Sequence, residues 1–269
     1  MPESMNSLLS LACRVIIITG GGRGIGLALA RGCTEAGATV AVTDILATPD
    51  KEFIACQAAF PGRLHYYSCD VTDKASLVSA FEDIFRDLKR ADGIITAAGI
   101  CIDKPFLGHT WEDVQRQQAV NETGTFFAVQ HAVRHMKEQR IKGSVVMICS
   151  QTAQHVSPGH KLTSYAGSKG FVLSFARNLA HELAADGIRV NTISPGYIAT
   201  TMNLSIAARR PDLNRIFNEA PPMGRVGTPD DLKGAALYLL GDASSYVTGL
   251  DLVVDGGMGV SSGNFKSTL

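Results

Sequence analysis

The sequence has no surplus charge of either sign: 25 lysines and arginines stand against 25 aspartates and glutamates, for a formal net charge of zero. A neutral chain has no basic field to attract a phosphodiester backbone, and no aromatic residues interleave with basic ones, so nucleic acid is excluded as a partner. Long hydrophobic runs are missing too. The apolar stretches stop well short of the about 20 residues a membrane-crossing helix needs, which leaves no membrane partner. Residues 1–10 lack the cationic start and apolar run of a secretory signal. Six cysteines (Cys13, Cys33, Cys56, Cys69, Cys101, Cys149) are scattered without a CxxC pair, which argues against a zinc or disulfide framework. Cys13, Cys69 and Cys149 fall at or beside expected strands, where a free thiol behaves as a small buried hydrophobe. These absences describe a reduced, cytoplasmic protein with no metal site.

What is present is core. Apolar residues make up 45% of the chain and charged residues 19%, the composition of a globular protein. Short β-rich runs at 14–19, 39–44, 64–69, 93–97, 144–149, 188–193 and 251–254 alternate with helical patterns near 24–36, 73–89, 111–138, 163–186 and 229–240. RVIIIT and SVVMIC are nearly continuous apolar, as strands buried on both faces must be. The alternation predicts one open, mostly parallel sheet with helices on both sides. No Pro/Gly/Ser-rich linker and no solenoid-length repeat divides it, so residues 1–269 read as a single domain. Two segments break the rhythm: the polar loop 151–161, and 199–226, punctuated by Pro211, Pro221, Pro222 and Gly224. Long irregular segments in a compact α/β domain tend to be binding loops, and the second is expected to be a substrate lid.

The first strand runs into Thr19-Gly20-Gly21-Gly22-Arg23-Gly24-Ile25-Gly26 and then a helix. Glycines at such a junction let the backbone approach a pyrophosphate, while the helix N-terminus offers free N–H groups and positive partial charge. A glycine cluster alone could be a tight turn. Here it sits between strand and helix, and an acid, Asp44, ends the next strand. A carboxylate at that place accepts hydrogen bonds from both hydroxyls of an adenosine ribose and repels a 2′-phosphate. Arg23 pulls the other way, since a guanidinium pairs with a 2′-phosphate. The expected cofactor is NAD, with NADP less suited.

Tyr165 and Lys169 stand one helical turn apart at the start of a helix, on one face. A phenol is a poor base at neutral pH, but a neighbouring ammonium favours phenolate and lowers its pKa. Together, TGxxxGIG at Thr19–Gly26, Asn121, Ser150, Tyr165-(x)₃-Lys169 and Pro195-Gly196 resemble the short-chain dehydrogenase/reductase superfamily, from about residue 12 to about residue 258. HELAADGIRVNTISPGY and VTGLDLVVDGG follow that family's phrasing closely.

The resemblance implies a Rossmann-type, doubly wound α/β sheet of about seven strands, and an NAD(P)-dependent oxidoreductase interconverting a secondary alcohol and a ketone. It makes Tyr165 the general acid/base, with Lys169 on the nicotinamide ribose, Ser150 bonding the substrate oxygen and Asn121 anchoring a relay water. Gly20, Arg23, Gly24, Ile25, Gly26, Asp44, Asp70, Val71, Ala98 and Gly99 would bind the adenosine and pyrophosphate side of the cofactor. Pro195, Gly196, Ile198 and Thr200 would orient its carboxamide. It also implies a homotetramer, or a homodimer, through helices 111–138 and 163–186 and through the last strand; on the helices Phe126, Phe127, Phe171 and Phe175 add apolar surface on more than one face.

The chain departs from the family pattern in three places. Thr96-Ala97-Ala98-Gly99 replaces the frequent Asn-Asn-Ala-Gly, the interval from Ser150 to Tyr165 is slightly long, and a tail, 261–269, extends past the usual end. Simpler assignments stay open for single residues. Asn121 could bond a carbonyl of its own helix, and Ser150 could be a turn residue, with Thr152 as a rival hydroxyl. His155 and His160 read as exposed loop residues, with substrate contact the alternative. Met202, Leu204, Ile206, Phe217 and Met223 either line a substrate pocket or pack the lid, which also carries Arg209-Arg210. His181-Glu182 opens like a zinc-binding HExxH, but Ala185 ends that idea. Two other activities fit the scaffold: a cofactor-binding or sensing protein, and an NAD-dependent epimerase or dehydratase.

Overall fold

Successive residues of the central strands feed two different cores, which is why those strands are apolar almost without interruption. The computed structural model describes residues 4–157, 159–200, 216–217 and 219–260. In it, Ile17, Ile94, Val145, Met147 and Val190 meet Phe81, Ile84, Ala132, Met136, Val172 and Ala176 on one face of the sheet. Their neighbours Ile16, Ile18, Val40, Val42, Ile95, Val146 and Ile193 meet Leu29, Ala30, Phe53, Leu239 and Leu240 on the other. Each such side chain contributes about 1.5–3 kcal/mol on burial, and a strand buried on both faces draws that from every position.

The strands are β1 (Val15–Thr19), β2 (Thr39–Asp44), β3 (Leu64–Ser68), β4 (Gly93–Thr96), β5 (Ser144–Ile148), β6 (Arg189–Pro195) and β7 (Asp251–Val254). They form one sheet in the order β3-β2-β1-β4-β5-β6-β7, every pair parallel. The helices are α1 (Met5–Leu8), α2 (Gly24–Glu35), α3 (Lys51–Ala59), α4 (Lys74–Leu88), α5 (Trp111–Gln118), α6 (Thr125–Glu138), α7 (Thr163–Leu183) and α8 (Lys233–Leu240). The winding reverses between β1 and β4. The chain leaves β1 toward one face and β4 toward the other, so a crevice opens at the carboxyl ends of these strands.

Several local features depart from the sequence expectation. Helix α3 shows no apolar stripe, since only Phe53 of KEFIACQAA is buried. It is held at its start by Asp50, whose side chain accepts from the amides of Glu52 and Phe53, a cap worth about 1 kcal/mol. The stretch expected as one helix over 111–138 is interrupted by a π-turn at Ala119–Gly124. Pro229–Leu232 is a 3₁₀ turn leading into α8. Strand β6 runs on to Pro195 because Pro195 lies beside Val254 of β7. Cys69 and Cys149 are buried, but Cys13 is exposed, in a left-handed backbone conformation with φ of 63°.

The expected lid falls partly outside the described residues, with Met202, Leu204, Ile206, Arg209, Arg210 and Pro211 among those outside; so does the tail 261–269. At the lid's described end, Phe217 and Ala220 pack on Tyr197. Among the described residues no helix is long and apolar enough to cross a membrane, and no cluster of metal-ligating side chains forms.

Candidate active site

The loop after β1 is built on backbone contact. Gly20 has φ of 65°, and a Cβ there would lie 2.5 Å from the Cα of Ala98. A Cβ on Gly26 would lie 2.1 Å from the carbonyl oxygen of Gly20. No other residue fits either position without moving main chain. Helix α2 then starts at Gly24 with no side-chain cap from Arg23, which leaves its first N–H groups for an anion. Asp44, buried at the end of β2, accepts from the amide of Gly22 at 2.9 Å. Arg23 is exposed and makes no ion pair among the described residues. After β3, the Asp70 carboxylate accepts from the Thr72 amide and hydroxyl at 2.9 and 2.7 Å. Val71 packs where a Cβ on Gly124 would collide, at 2.8 Å.

The second cluster lies at the ends of β4, β5 and β6. Ser150 caps the short 3₁₀ turn Gln151–Ala153. Its Oγ accepts from the Thr152 amide at 3.2 Å and hydroxyl at 2.9 Å, and it also hydrogen-bonds the phenol of Tyr165. Ser150 is therefore a turn residue and a neighbour of the tyrosine at once, with Thr152 behind it. On α7, the Lys169 Nζ sits 5.7 Å from the centre of the Tyr165 ring and donates to the carbonyl of Ile148 at 2.8 Å. Burial pushes the Tyr165 phenol well above its ordinary pKa; Cys101 and Cys149 add to this, and the Ser150 hydrogen bond opposes it. Burial also draws Lys169 below the usual range of an ammonium. The expectation that Lys169 lowers the phenol is thus reversed in the protein alone, because removing a phenolate from water outweighs an ammonium already committed to a backbone carbonyl.

Asn121 projects from the π-turn and is fully buried. Its side chain accepts from the amide of Ile100 and donates to the carbonyl of Ile100, both at 2.9 Å, and donates to Ser168 Oγ at 2.9 Å. It bonds no carbonyl of its own helix. It stands behind Gly99, where a Cβ would come within 3.4 Å of its Oδ1, and it takes no part in the wall of the cavity. A widened turn of this kind recurs at functional sites, and here it locks α6 and α7 to the loop after β4.

One cavity of about 870 Å³ joins the two clusters. Gly20, Arg23, Gly24, Ile25, Gly26 and Asp44 line one end, Asp70, Val71, Ala98 and Gly99 the middle, and Ser150, Tyr165 and Lys169 the other end, beside Pro195, Gly196, Ile198 and Thr200. The cradle that forbids side chains, the uncapped helix start and the carboxylate at the end of β2 fit a dinucleotide, and the cavity is large enough for one with a small molecule beside it. Cys101, Ile102, Asp103, Leu162 and Tyr197 also line it; no motif marks them. His155 is exposed as expected, but the His160 side chain is only 3% exposed. Phe217 packs with Tyr197 and Ala220, and Met223 is exposed.

The family model described as Enoyl-(Acyl carrier protein) reductase matches residues 20–259. The 5-keto-D-gluconate 5-reductase of Escherichia coli K12 is 36% identical over 259 residues, covering 94% of this chain and 98% of that protein. Among solved structures, a short-chain type dehydrogenase/reductase from Mycobacterium marinum superposes with a TM-score of 0.89 at 33% identity, covering 95% and 99% of the two chains. A gluconate 5-dehydrogenase from Burkholderia cenocepacia J2315, in complex with NADP and tartrate, gives a TM-score of 0.89 at 29% identity, covering 96% and 100%.

The electrostatics of the site can be checked directly. In protein without cofactor, Tyr165 is expected to stay neutral at pH values where an ordinary phenol is half ionised, since burial favours the uncharged acid. Near-ultraviolet titration of the parent protein and Tyr165→Phe should then differ by no phenolate signal in that range. A full tyrosinate difference there would mean that the lysine dominates after all.

Proposed function

The chain belongs to the short-chain dehydrogenase/reductase superfamily, and from that membership we infer an NAD(P)-dependent oxidoreductase that interconverts an alcohol and a ketone. The observation that carries this for the chain itself is the single cavity in which the glycine cradle and the Ser150–Tyr165–Lys169 cluster meet. When bound, the nicotinamide supplies or accepts the hydride and, oxidised, brings a positive charge. The residues suited to hold it are the loop Gly20–Gly26, Asp44, Asp70, Val71, Ala98 and Gly99 on the adenosine side, and Lys169, Pro195, Gly196, Ile198 and Thr200 on the other.

Tyr165 is the general acid/base in this mechanism. Its neutral, buried phenol is a proton donor ready for a carbonyl oxygen, and Ser150 donates a second hydrogen bond as charge grows on that oxygen. In the oxidative direction the phenol must first lose its proton, which positive charge beside it makes feasible. Lys169 supplies such a charge, and Asn121 fixes the helix start on which both stand. Tyr165→Phe is expected to lower kcat by about 10²- to 10⁴-fold with cofactor affinity nearly unchanged, read from steady-state rates and a cofactor-binding titration. Retention of most of the activity would remove Tyr165 from the role.

The cofactor expectation needs correction. NADP sits in the related gluconate 5-dehydrogenase structure, so NADP is no longer the less suited of the two. The physical reason lies in the loop: the Asp44 carboxylate is partly satisfied by the Gly22 amide, and Arg23, which makes no ion pair among the described residues, lines the same cavity. In our proposal Arg23 meets the 2′-phosphate of NADP, and Asp44 determines how well NAD competes. Arg23→Ala should weaken NADP, and Asp44→Ala should weaken NAD, each by about 1.5–3 kcal/mol for a lost charged hydrogen bond. If kcat/KM for both cofactors fell equally in either variant, the two residues would not divide the work this way.

For the substrate, the relatives named for gluconate chemistry favour a small polyhydroxylated ketone over the acyl thioester suggested by the family model's description. Buried polar side chains in the cavity wall, Gln151 and Ser157, agree with that choice.

For assembly, we propose a homotetramer or homodimer. Phe126, Phe127 and Trp111 are 36%, 43% and 80% exposed, and Phe126 stacks on Phe175, which stacks on Phe171, leaving an aromatic face for a partner subunit. Light scattering at micromolar concentration should give a mass of two or four subunits, and a single-subunit mass would refute this.

A further inference from the structure

Beyond Tyr165, in the same cavity, a buried histidine has one nitrogen engaged and the other without a hydrogen-bond partner among the described residues. His160 Nδ1 lies 2.7 Å from Asp103 Oδ2, and the two side chains are 3% and 6% exposed. The other carboxylate oxygen, Oδ1, accepts from the amide of Lys161 at 3.0 Å. The imidazole is held between Tyr197 and Phe217, with ring centres 5.5 and 5.4 Å away. Its Nε2 is buried and has no hydrogen-bond partner among the described residues, and both His160 and Asp103 line the cavity.

A carboxylate can only accept, so Nδ1 carries the proton of the Asp103 bond. In neutral imidazole that leaves Nε2 as a lone-pair acceptor, fixed in direction by the same bond and by the two rings. A buried acceptor with no partner destabilises the fold unless a ligand bonds it. The group that can do so is a donor, a hydroxyl and not an ionised carboxylate. We propose that His160, oriented by Asp103, is a specificity-determining residue that accepts a hydrogen bond from a substrate hydroxyl away from the reacting carbon. The ligand class is therefore a polyhydroxylated ketone or the matching polyol. This rests on the oxidoreductase activity proposed above and adds to it the residue that selects the substrate.

A site that bonds a substrate hydroxyl discriminates strongly against an analogue lacking it, because its own polar atom is then left unpaired. The probes are 5-keto-D-gluconate, D-fructose and L-sorbose on one side and 2-hexanone on the other, with NADPH and NADH. The measured quantity is the ratio of kcat/KM for the best polyhydroxylated ketone to that for 2-hexanone. His160→Phe keeps the ring stack and removes both nitrogens, and it should lower that ratio by about tenfold or more, mainly through KM. His160→Gln, which retains a polar tip, should recover part of it. Asp103→Asn frees the imidazole to take the other tautomer, turning Nε2 into a donor, and should also lower the ratio. Melting temperature and cofactor-binding titrations on each variant separate folding defects from selectivity.

An unchanged ratio in all three variants would overturn the assignment and leave the oxidoreductase activity standing. An equal loss on both kinds of ketone would overturn it too, by making the pair structural. A parent enzyme that reduces no ketone at all would overturn the proposed function, and this inference with it.

Discussion

The site depends on one steric constraint: three stretches of backbone must touch where side chains would normally keep them apart. Gly20 meets Ala98, and Gly26 meets Gly20, at distances that exclude a Cβ. The first contact draws the loop after β1 against the loop after β4, across the point where the sheet reverses its winding. The second seats the start of α2 directly over that loop. Together they bring the helix amides and the Asp44 carboxylate to one end of a single cavity, with Ala98 and Gly99 next to them. Everything chemical is arranged relative to that cradle, because the strands that carry Ser150 and Pro195 are in register with the strand that carries the loop.

The second organising effect is desolvation. The cluster at the other end of the cavity combines a phenol, a hydroxyl and an ammonium in a largely dry environment. Dryness shifts each group toward its uncharged form: the phenol is held protonated and the ammonium is made more acidic. Two groups that titrate close together in water are thereby moved in opposite directions, the phenol up and the ammonium down, which leaves the phenol as the proton donor of the site. The fixed hydrogen bonds of Lys169 to Ile148 and of Asn121 to Ile100 and Ser168 keep the geometry from relaxing as charge moves. The same dryness gives weight to the His160 Nε2, which has no partner among the described residues, since an unmet acceptor matters little in water and considerably out of it.

Much of this was legible in the chain. Continuous apolar runs such as RVIIIT can satisfy only a strand with a core on each side, so the doubly wound sheet and its seven strands follow from pattern and length. The glycine loop and the Tyr165–Lys169 pair were legible because their chemistry is local: a turn and one helical repeat place the atoms. Helix α3 was hidden because it buries one side chain and so has no periodicity; the only local sign was Asp50, a capping residue. The π-turn at Ala119–Gly124 was hidden because it is imposed from outside, by the bonds Asn121 makes to a loop on another part of the sheet.

By itself, then, the sequence determined the alternation of strands and helices, the two-faced sheet, and the residues able to hold a dinucleotide and move a proton, since each of these is set by neighbours a few positions away. Tertiary structure alone decided which way the tyrosine and lysine are shifted, since burial is a property of everything packed around them. It also decided that Asn121 lies behind the cavity wall and that His160, in a polar loop, is a buried group paired with Asp103. Those two residues are far apart in the chain and meet only because the loops after β4 and β5 leave adjacent strands at the same edge of the sheet. No local pattern encodes a contact that exists only after the strands have paired.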